Sequence, residues 1–137
     1  MNEWKVVKIT EEVAHDFLKA NHANREVVYI QHHDEWCGIY DGDKLISVTG
    51  ISVHPKRGHV HTGGSFTLHE YRGKGCFKAI YKYVMAKYPD KDFICYCRPE
   101  TSHVLQKYHG FIKTQSFKNG TDKCILRRNY GKTKKEH

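Results

Sequence analysis

The sequence predicts a mixed α/β fold in which a central β-sheet is flanked by helices. Three strand-like segments separated by turns occupy the middle of the chain, and a glycine-rich turn then leads into an amphipathic helix. An apolar strand, a short helix and a two-stranded hairpin complete the order. A meander of strands that passes into a strand–helix–strand unit favours a mixed sheet with helices on both faces.

The chain begins with a predicted strand and a capped helix. Residues 4–9 have strand composition, and Thr10 is expected as the N-cap of the helix that follows. The apolar face of this helix is predicted to consist of Val13, Phe17 and Leu18. Residues 27–30 suit a short strand or a second helical connection, and both alternatives stay open.

Three consecutive strands are predicted next. Segments 36–40 and 44–53 flank the turn Asp41-Gly42-Asp43, which is typical of a β-hairpin. A loop separates them from a third strand over residues 59–68. Because glycine weakens a strand interior, Gly63-Gly64 indicates either a β-bulge, where a ligand approaches the backbone, or a plain kink.

The second half of the chain contains a predicted helix over residues 75–88. Its apolar residues recur every three or four positions. These residues are Phe77, Ile80, Tyr81, Val84 and Met85. Pro89-Asp90 ends the helix, and segment 93–97 has the apolar character of a buried strand.

A short helix and a hairpin follow. The helix is expected to begin at a cap on Thr101 or Ser102 and to be closed by Gly110. Asn119-Gly120 lies between two strand-like runs and indicates a hairpin over residues 112–128.

Composition indicates one domain, residues 1–128, followed by a basic flexible tail, 129–137. No apolar run approaches the length of about 18 residues that a membrane span needs, and the first residues lack the pattern of a signal peptide. Five cysteines without a regular spacing favour a reducing compartment, so a cytoplasmic location is expected. The net charge of +8 suits solubility, a polyanionic cofactor or a nucleic-acid partner.

A loop with two glycines and two cations, Arg72-Gly73-Lys74-Gly75, precedes the second helix. Glycine lets the backbone turn tightly and approach a ligand. The N-terminus of a helix offers free N–H groups and a positive dipole end to anions. The spacing differs from G-x-x-x-x-G-K-[ST] and from G-x-G-x-x-G. The loop therefore predicts a phosphate site of another kind.

Two motifs resemble the GCN5-related N-acetyltransferases. The pyrophosphate loop of that family reads [Arg/Gln]-x-x-Gly-x-[Gly/Ala], which Arg72 and Gly75 match, whereas Phe77 stands where Gly or Ala is usual. Segment 104–111 resembles the Leu-Tyr-x-Lys-x-Gly-Phe ending of a helix in the same family. Together with the order of elements, the resemblance covers roughly residues 4–128 and implies the fold of that family.

The resemblance implies an acetyl-CoA-dependent N-acetyltransferase in which a primary amine attacks the thioester carbonyl directly. The family binds the pantetheine arm along the fourth strand, which diverges from the fifth. Backbone groups of Phe66, Thr67 and Leu68 would hold pantetheine here. The N–H groups expected to hold the pyrophosphate are those of Arg72, Gly73, Lys74, Gly75, Cys76 and Phe77.

Many members of the family protonate the leaving thiolate with a tyrosine on the helix before Gly-Phe. Alignment on Gly110-Phe111 places Gln106 at that position, so Gln106 is expected to face the thioester. Tyr108 lies two residues further, about 200° around a helix, and is either a displaced acid or a partly buried packing residue.

The general base is expected on the fourth strand. Histone-type members carry a glutamate eleven residues before the Arg/Gln of the loop, and His61 stands there. Histidine has an ordinary pKa near 6.5 and acts as a base near neutral pH. His54, Glu70 and a water relay are the alternatives, because one of eleven histidines can fall on this position by chance.

Cysteine and histidine pairs do not predict a metal site. Cys95-x-Cys97, His32-His33 and His59-x-His61 lack the spacing of structural zinc ligands. The two cysteines are better interpreted as small buried residues.

The residues do not identify the acceptor amine. A small molecule or a protein amine suits the generic site, and the basic charge admits RNA or DNA. Two other classes stay open: a CoA-binding module without catalysis, which the replaced tyrosine and Phe77 favour, and a nucleic-acid-binding protein that does not bind CoA.

Overall fold

The computed structural model describes residues 3–21, 31–54 and 56–128, so the predictions for residues 27–30 and 129–137 lie outside it. The described elements surround one sheet. In chain order they are β1 Val6–Ile9, α1 Glu11–Ala20, β2 Glu35–Asp41, β3 Lys44–Val53, β4 Val60–Thr67, α2 Cys76–Lys87, β5 Phe93–Cys97, α3 Pro99–His109, β6 Ile112–Ser116 and β7 Asp122–Leu126. A single 3₁₀ turn, His69–Tyr71, precedes α2.

Within the described part of the chain, the sheet has seven strands in the order β1-β2-β3-β4-β5-β7-β6. Strands β4 and β5 are parallel, and every other neighbouring pair is antiparallel. The predicted mixed sheet is therefore confirmed. Short connections join β2 to β3, β3 to β4 and β6 to β7, whereas α2 connects the parallel pair β4 and β5.

A β-bulge interrupts β4, which is the first of the two alternatives that the Gly63-Gly64 pair indicates. Opposite β3, Thr62 pairs with Ile51 and Phe66 with Val48, so β4 has one extra residue between these positions. Gly64 adopts a positive φ of 64°, which favours glycine. The extra residue reverses the alternation of side chains, because neighbouring residues of a strand face opposite sides.

The bulge decides what each end of β4 contacts. Before it, the Thr62 hydroxyl forms a hydrogen bond with the Tyr81 hydroxyl of α2. After it, the Phe66 ring packs 6.1 Å from the ring of Phe17 in α1. Helices α1 and α2 thus cover opposite faces of the sheet.

Helix α1 has the predicted cap and a shifted apolar face. The Thr10 hydroxyl accepts a hydrogen bond from the Val13 N–H at 3.2 Å. The buried residues are Ala14, Phe17 and Leu18, and the predicted core residue Val13 is 37% exposed. The face is displaced because Ala14 lies between the positions of Phe17 and Leu18 on a helical surface.

Helix α3 begins earlier than the sequence predicts. Pro99 occupies its first turn, and neither Thr101 nor Ser102 is the cap. Proline has the φ of a helix and lacks only an N–H that would have no partner there. The predicted end is confirmed, because Gly110 is left-handed with φ 76°.

The core lies between the sheet and its helices. The largest fully buried side chains include Trp36, Tyr81 and Phe93. Among the described residues, no helix is long and apolar enough to cross a membrane.

Candidate active site

The two parallel strands of the sheet diverge. Strand β4 pairs with β5 at Val60, His61 and Thr62, and beyond Thr62 the part of β4 from Gly63 to Thr67 no longer pairs with it. Strand β5 continues in its pairing with β7. The divergence expected for the fourth and fifth strands is therefore present. It leaves an edge of β4 whose backbone groups can bind an extended ligand.

A cavity of about 760 Å³ opens at this divergence. The cavity is lined by residues 65–67 at the end of β4 and by residues of α3. The loop before α2 and the first turn of α2, residues 71–78 except Lys74, complete the lining. The volume lies within the usual range for small-molecule and cofactor sites, roughly 300–1,000 Å³.

The glycine loop forms one end of the cavity. Gly73 and Gly75 are left-handed, with φ of 78° and 88°, and a Cβ added to either would meet no protein atom within 4 Å. Both glycines line the cavity. A side chain at either position would therefore occupy ligand space rather than clash with the protein.

The amide groups beside the loop are available to a ligand. Gly75 is the N-cap of α2, and the helical hydrogen bonds begin with Ala79 N–H donating to the Gly75 carbonyl at 3.0 Å. The N–H groups of Cys76, Phe77 and Lys78 come before it and have no acceptor within the helix. They create an anion site at the helix N-terminus.

Arg72 connects the loop to the end of β4. Its Nε donates to the Thr67 carbonyl at 2.9 Å, and its guanidinium lies 5.1 Å from the centre of the Phe66 ring. Lys78 and Arg98 add positive charge to the same cavity, and Arg98 is paired with Glu100 at 3.2 Å. The cationic groups suit an anionic ligand.

The cavity brings together most of the residues predicted to bind a cofactor. Those that line it are Phe66, Thr67, Arg72, Gly73, Gly75, Cys76 and Phe77. Leu68 does not, because it is buried in the core and its N–H donates to the Ile46 carbonyl at 2.8 Å. Lys74 lines a second depression, and its carbonyl accepts from Trp4 Nε1 at 2.9 Å.

Helix α3 presents Tyr108 to the cavity instead of Gln106. Thr101, Val104 and Tyr108 line the cavity at a spacing of three and four residues, which places them on one helical face. Gln106 lies about 160° away from this face. Its amide donates back to the Ser102 hydroxyl at 3.0 Å. The expectation that Gln106 faces the cavity therefore does not match its placement.

Tyr108 lies beside two lysines. Lys78 Nζ is 4.9 Å and Lys107 Nζ 5.3 Å from the centre of its ring. The ring is 51% exposed, so it borders the opening of the cavity. Because Lys78 belongs to the first turn of α2, the Tyr108 ring lies at the end of the cavity that contains the glycine loop.

His61 lies on β4 immediately before the divergence, and it is part of a histidine cluster. Its Nε2 is 2.8 Å from Nε2 of His59, and the His59 ring lies 4.9 Å from that of His54. Burial, followed by the charges of His59 and His54, lowers the pKa of His61. Burial and the charge of His54 also lower the pKa of His59. Both rings thus favour the neutral form.

The two alternative bases are placed differently. The Nδ1 of His54 accepts hydrogen bonds from the Lys56 and Arg57 N–H groups at 3.3 and 3.1 Å, so only its Nε2 remains for a ligand. Glu70 lines the second depression and forms an ion pair with Lys44 at 3.5 Å. A hydrogen bond from its own backbone N–H, opposed by desolvation, lowers the pKa of Glu70.

Sequence reasoning missed several residues of the site. Ser65, Lys78, Arg98 and Thr101 line the cavity without belonging to either motif. The spacing of Thr101, Val104 and Tyr108 is a signal that helical periodicity could have found. Among the described residues, no group of three His, Cys, Asp or Glu side chains has the arrangement of a metal site.

Comparison with known proteins supports the fold. No protein-family model matches the sequence, and no curated protein matches it. Solved structures do match. The Bacillus subtilis N-acetyltransferase YlbP in complex with coenzyme A is 15% identical, with 91% of this chain and 97% of that chain covered and a TM-score of 0.62.

Two further structures extend this likeness. The histone acetyltransferase HPA2 and related acetyltransferase of Corynebacterium glutamicum is 14% identical, with coverage of 93% and 97% and a TM-score of 0.71. The GNAT domain of S. lividans PAT is 13% identical, with coverage of 90% and 89% and a TM-score of 0.66. The chain has the fold of the GCN5-related N-acetyltransferases.

Proposed function

We propose that this protein is an acetyl-CoA-dependent N-acetyltransferase that transfers an acetyl group to a primary amine. The main support for the proposal is the cavity at the divergence of β4 and β5. This cavity extends from the edge of β4 that no longer pairs with β5 to the glycine loop at the N-terminus of α2. The likeness to N-acetyltransferase structures, one of them in complex with coenzyme A, supports it.

The residues present fit the chemistry of acetyl-CoA. Its pantetheine arm carries two amides, which suit the backbone edge at Phe66 and Thr67. Its pyrophosphate suits the loop from Gly73 to Phe77, where a ligand meets N–H groups without a helical acceptor and two glycines that have no side chain. Arg72 and Lys78 add positive charge at the same end. When bound, acetyl-CoA supplies an acyl carbon that its thioester makes reactive toward amines.

His61 is the side chain we assign as general base. It lies on β4 at the last pairs before the divergence, where an amine would meet the acyl group. Its lowered pKa keeps the imidazole neutral and able to accept a proton at pH 7. His59, at 2.8 Å, orients the ring. Neither His61 nor Glu70 is among the residues that line the cavity. Glu70 is the weaker candidate, because it lines the second depression and is paired with Lys44, whereas His61 lies one residue before the divergence.

Tyr108 is assigned to cofactor contact. Its ring lies beside Lys78 at the end of the cavity that would hold the phosphates. The alternative is that Tyr108 protonates the leaving thiolate, and its substitution by phenylalanine separates the two roles.

Two measurements test the function. Isothermal titration calorimetry with acetyl-CoA tests the cavity, and release of free CoA thiol in the presence of a panel of amines tests the chemistry. Absence of acetyl-CoA binding by the folded protein would overturn the proposal. Binding without turnover of any amine would instead identify a CoA-binding module that lacks catalysis.

A further inference from the structure

Two aromatic side chains are exposed on the face of the sheet that carries His61. Tyr96 of β5 is 49% exposed, and Phe117, after β6, is 37% exposed. Their ring centres are 6.3 Å apart. The His61 ring lies 6.4 Å from that of Tyr96, and the two planes are within 8° of parallel. Lys123 Nζ lies 5.8 Å from the centre of the Tyr96 ring. We call Tyr96, Phe117, His61 and Lys123 the aromatic surface.

The aromatic surface lies where the parallel strands separate. The last pair between them is Thr62 with Cys95, so His61 comes one residue before the divergence and Tyr96 one residue after it. Successive residues of a strand face opposite sides of the sheet. Cys95 is therefore directed toward the core under α2, where its thiol accepts from the Tyr81 hydroxyl at 3.4 Å, and Tyr96 is directed to the other side. A molecule on the aromatic surface would approach the divergence from the face opposite the cofactor cavity.

The charges around this surface are mainly basic. The titratable groups that act most strongly on His61 are His59, His54, His33 and Lys123. Burial lowers the pKa of His59 and of His33 and favours their neutral forms, so the positive charge on the aromatic surface is that of Lys123. Asp122 is buried and accepts a hydrogen bond from the Ser116 hydroxyl at 2.9 Å. Asp92, which acts on His59, accepts from the Arg128 N–H at 2.6 Å. Lys123 would repel a cationic acceptor, such as a polyamine or a lysine side chain, at this surface.

We propose that the aromatic surface binds the acceptor, and that the acceptor is an aromatic amine, neutral at the amino group and favoured by an anionic substituent on its ring. Tyr96 and Phe117 provide faces against which an aromatic ring packs. Lys123 is placed to attract the anionic substituent. An amine bonded to an aromatic ring is neutral at pH 7, so it needs no carboxylate to bind it and no strong base to deprotonate it beforehand.

This inference rests on the proposed acetyl transfer and names its acceptor class. In the transfer, the amine nitrogen forms a bond to the acyl carbon and the carbon–sulfur bond breaks. The electron pair of that bond leaves with the sulfur as the CoA thiolate, and the proton lost by the nitrogen passes to the neutral His61 ring. A histidine of lowered pKa suffices as base, because the nitrogen becomes strongly acidic once it has bonded to the acyl carbon.

The acceptor class is tested by comparing amines at saturating acetyl-CoA. The probes are 4-aminobenzoate, aniline, spermidine, a lysine-containing peptide and a single-stranded RNA oligonucleotide. We expect kcat/KM to be highest for 4-aminobenzoate, lower for aniline and lowest for spermidine and the peptide. Preferred acetylation of spermidine, the peptide or the RNA would overturn the acceptor assignment and leave acetyl transfer intact. Failure to bind acetyl-CoA would overturn the proposed function and this inference with it.

Substitutions in the aromatic surface test whether the acceptor binds there. Tyr96→Ala should raise KM for 4-aminobenzoate by roughly three- to ten-fold, the range expected for the loss of one aromatic contact. Lys123→Gln should raise KM for 4-aminobenzoate but not for aniline. The matched control is Tyr40→Ala, because Tyr40 is 40% exposed and lines the second depression. KM for acetyl-CoA should stay constant in all three variants. Equal KM values for 4-aminobenzoate in Tyr96→Ala, Lys123→Gln and the control would overturn the assignment of this surface.

Discussion

His59 and His61 share a hydrogen bond of 2.8 Å between their Nε2 atoms. Only one of the two nitrogens can carry the shared proton, so two neutral rings must be different tautomers, one protonated at Nε2 and the other at Nδ1. Protonation of both rings would place two donors against each other and break the bond. Because burial and neighbouring basic groups lower the pKa of each ring, the pair favours this neutral arrangement. A neutral imidazole at the divergence of the strands is what a general base requires.

The first prediction concerns the glycine loop. Gly75→Val should weaken acetyl-CoA binding at least ten-fold, because the new side chain would occupy the cavity at a point where no protein atom lies within 4 Å. Gly42→Val is the matched control, since Gly42 also has a positive φ, 64°, and equally open surroundings, but lies in the β2–β3 turn. Both variants should lose about 1–2 kcal/mol of stability from backbone strain. Calorimetry should find CoA affinity unchanged in Gly42→Val, and equal affinities in the two variants would contradict the assignment of the loop.

The second prediction concerns the pH dependence of the rate. If His61 is the base, kcat/KM should fall as pH decreases through its pKa. Burial and basic neighbours place that pKa below the ordinary value of 6.5. His61→Ala should remove this acid limb and lower the rate at pH 7. For an alkylamine probe, the rate should recover at high pH, where the amine deprotonates itself. If the acid limb is unchanged in His61→Ala, the general base is His54, Glu70 or water instead of His61.

The third prediction concerns His59, which we assign as the residue that positions the His61 ring. His59→Gln keeps a hydrogen-bonding group beside His61 but removes the positive charge that His59 gains when protonated. The pKa of His61 should therefore rise, and the acid limb of kcat/KM should move toward higher pH. A merely structural role for His59 would lower kcat without moving the limb. Rate profiles between pH 5 and 9 distinguish the two outcomes.

The fourth prediction separates the two roles of Tyr108. With Tyr108 at the phosphate end of the cavity, Tyr108→Phe should change kcat only a few-fold, whereas removal of a general acid commonly costs roughly 10²–10⁴ in rate. Gln106→Ala is the control on the same helix, because Gln106 bonds to Ser102 and does not line the cavity. A hundred-fold loss of kcat in Tyr108→Phe, with acetyl-CoA affinity retained, would make Tyr108 the acid.

The fifth prediction concerns stability. His109 is buried, its Nε2 has no hydrogen-bond partner among the described residues, and burial lowers its pKa from 6.5 to about 4. The unfolded chain therefore binds a proton below pH 6.5 that the folded protein does not take up until about pH 4. Stability contributed by neutral His109 is complete above pH 6.5 and falls between these values, by up to about 1.4 kcal/mol per pH unit.

His109→Leu should remove this part of the pH dependence, and the exposed His103 on the same helix provides the control variant His103→Leu. Urea unfolding at pH 7.5 and pH 5 measures the effect. His109→Leu and the parent chain should differ more at pH 5 than at pH 7.5. A constant difference between them would show that His109 takes up its proton equally in the folded and unfolded states, so that burial does not lower its pKa.

The order of elements was predictable because it depends on neighbouring residues. The Thr10 cap, the Asp41-Gly42-Asp43 turn and the end of α3 at Gly110 each involve contacts within a few positions of the chain. The same holds for the glycine loop, since left-handed backbone favours glycine regardless of what lies around it. The start of α3 is also a local matter: the sequence predicts a cap at Thr101 or Ser102, whereas Pro99 is the first helical residue, a position that suits proline.

The site depends on residues that are distant along the chain. By itself, the sequence determined the mixed fold, the loop that suits phosphates and a histidine-rich fourth strand. Only the tertiary structure decided that Tyr108 and not Gln106 lines the cavity, because that depends on how α3 rotates against α2. It also decided that Tyr96 lies beside His61, because strand pairing aligns His61 with Ile94 and places Tyr96, two residues further, on the same face. Local backbone preferences determine which elements form, whereas packing between distant elements determines which side chains meet.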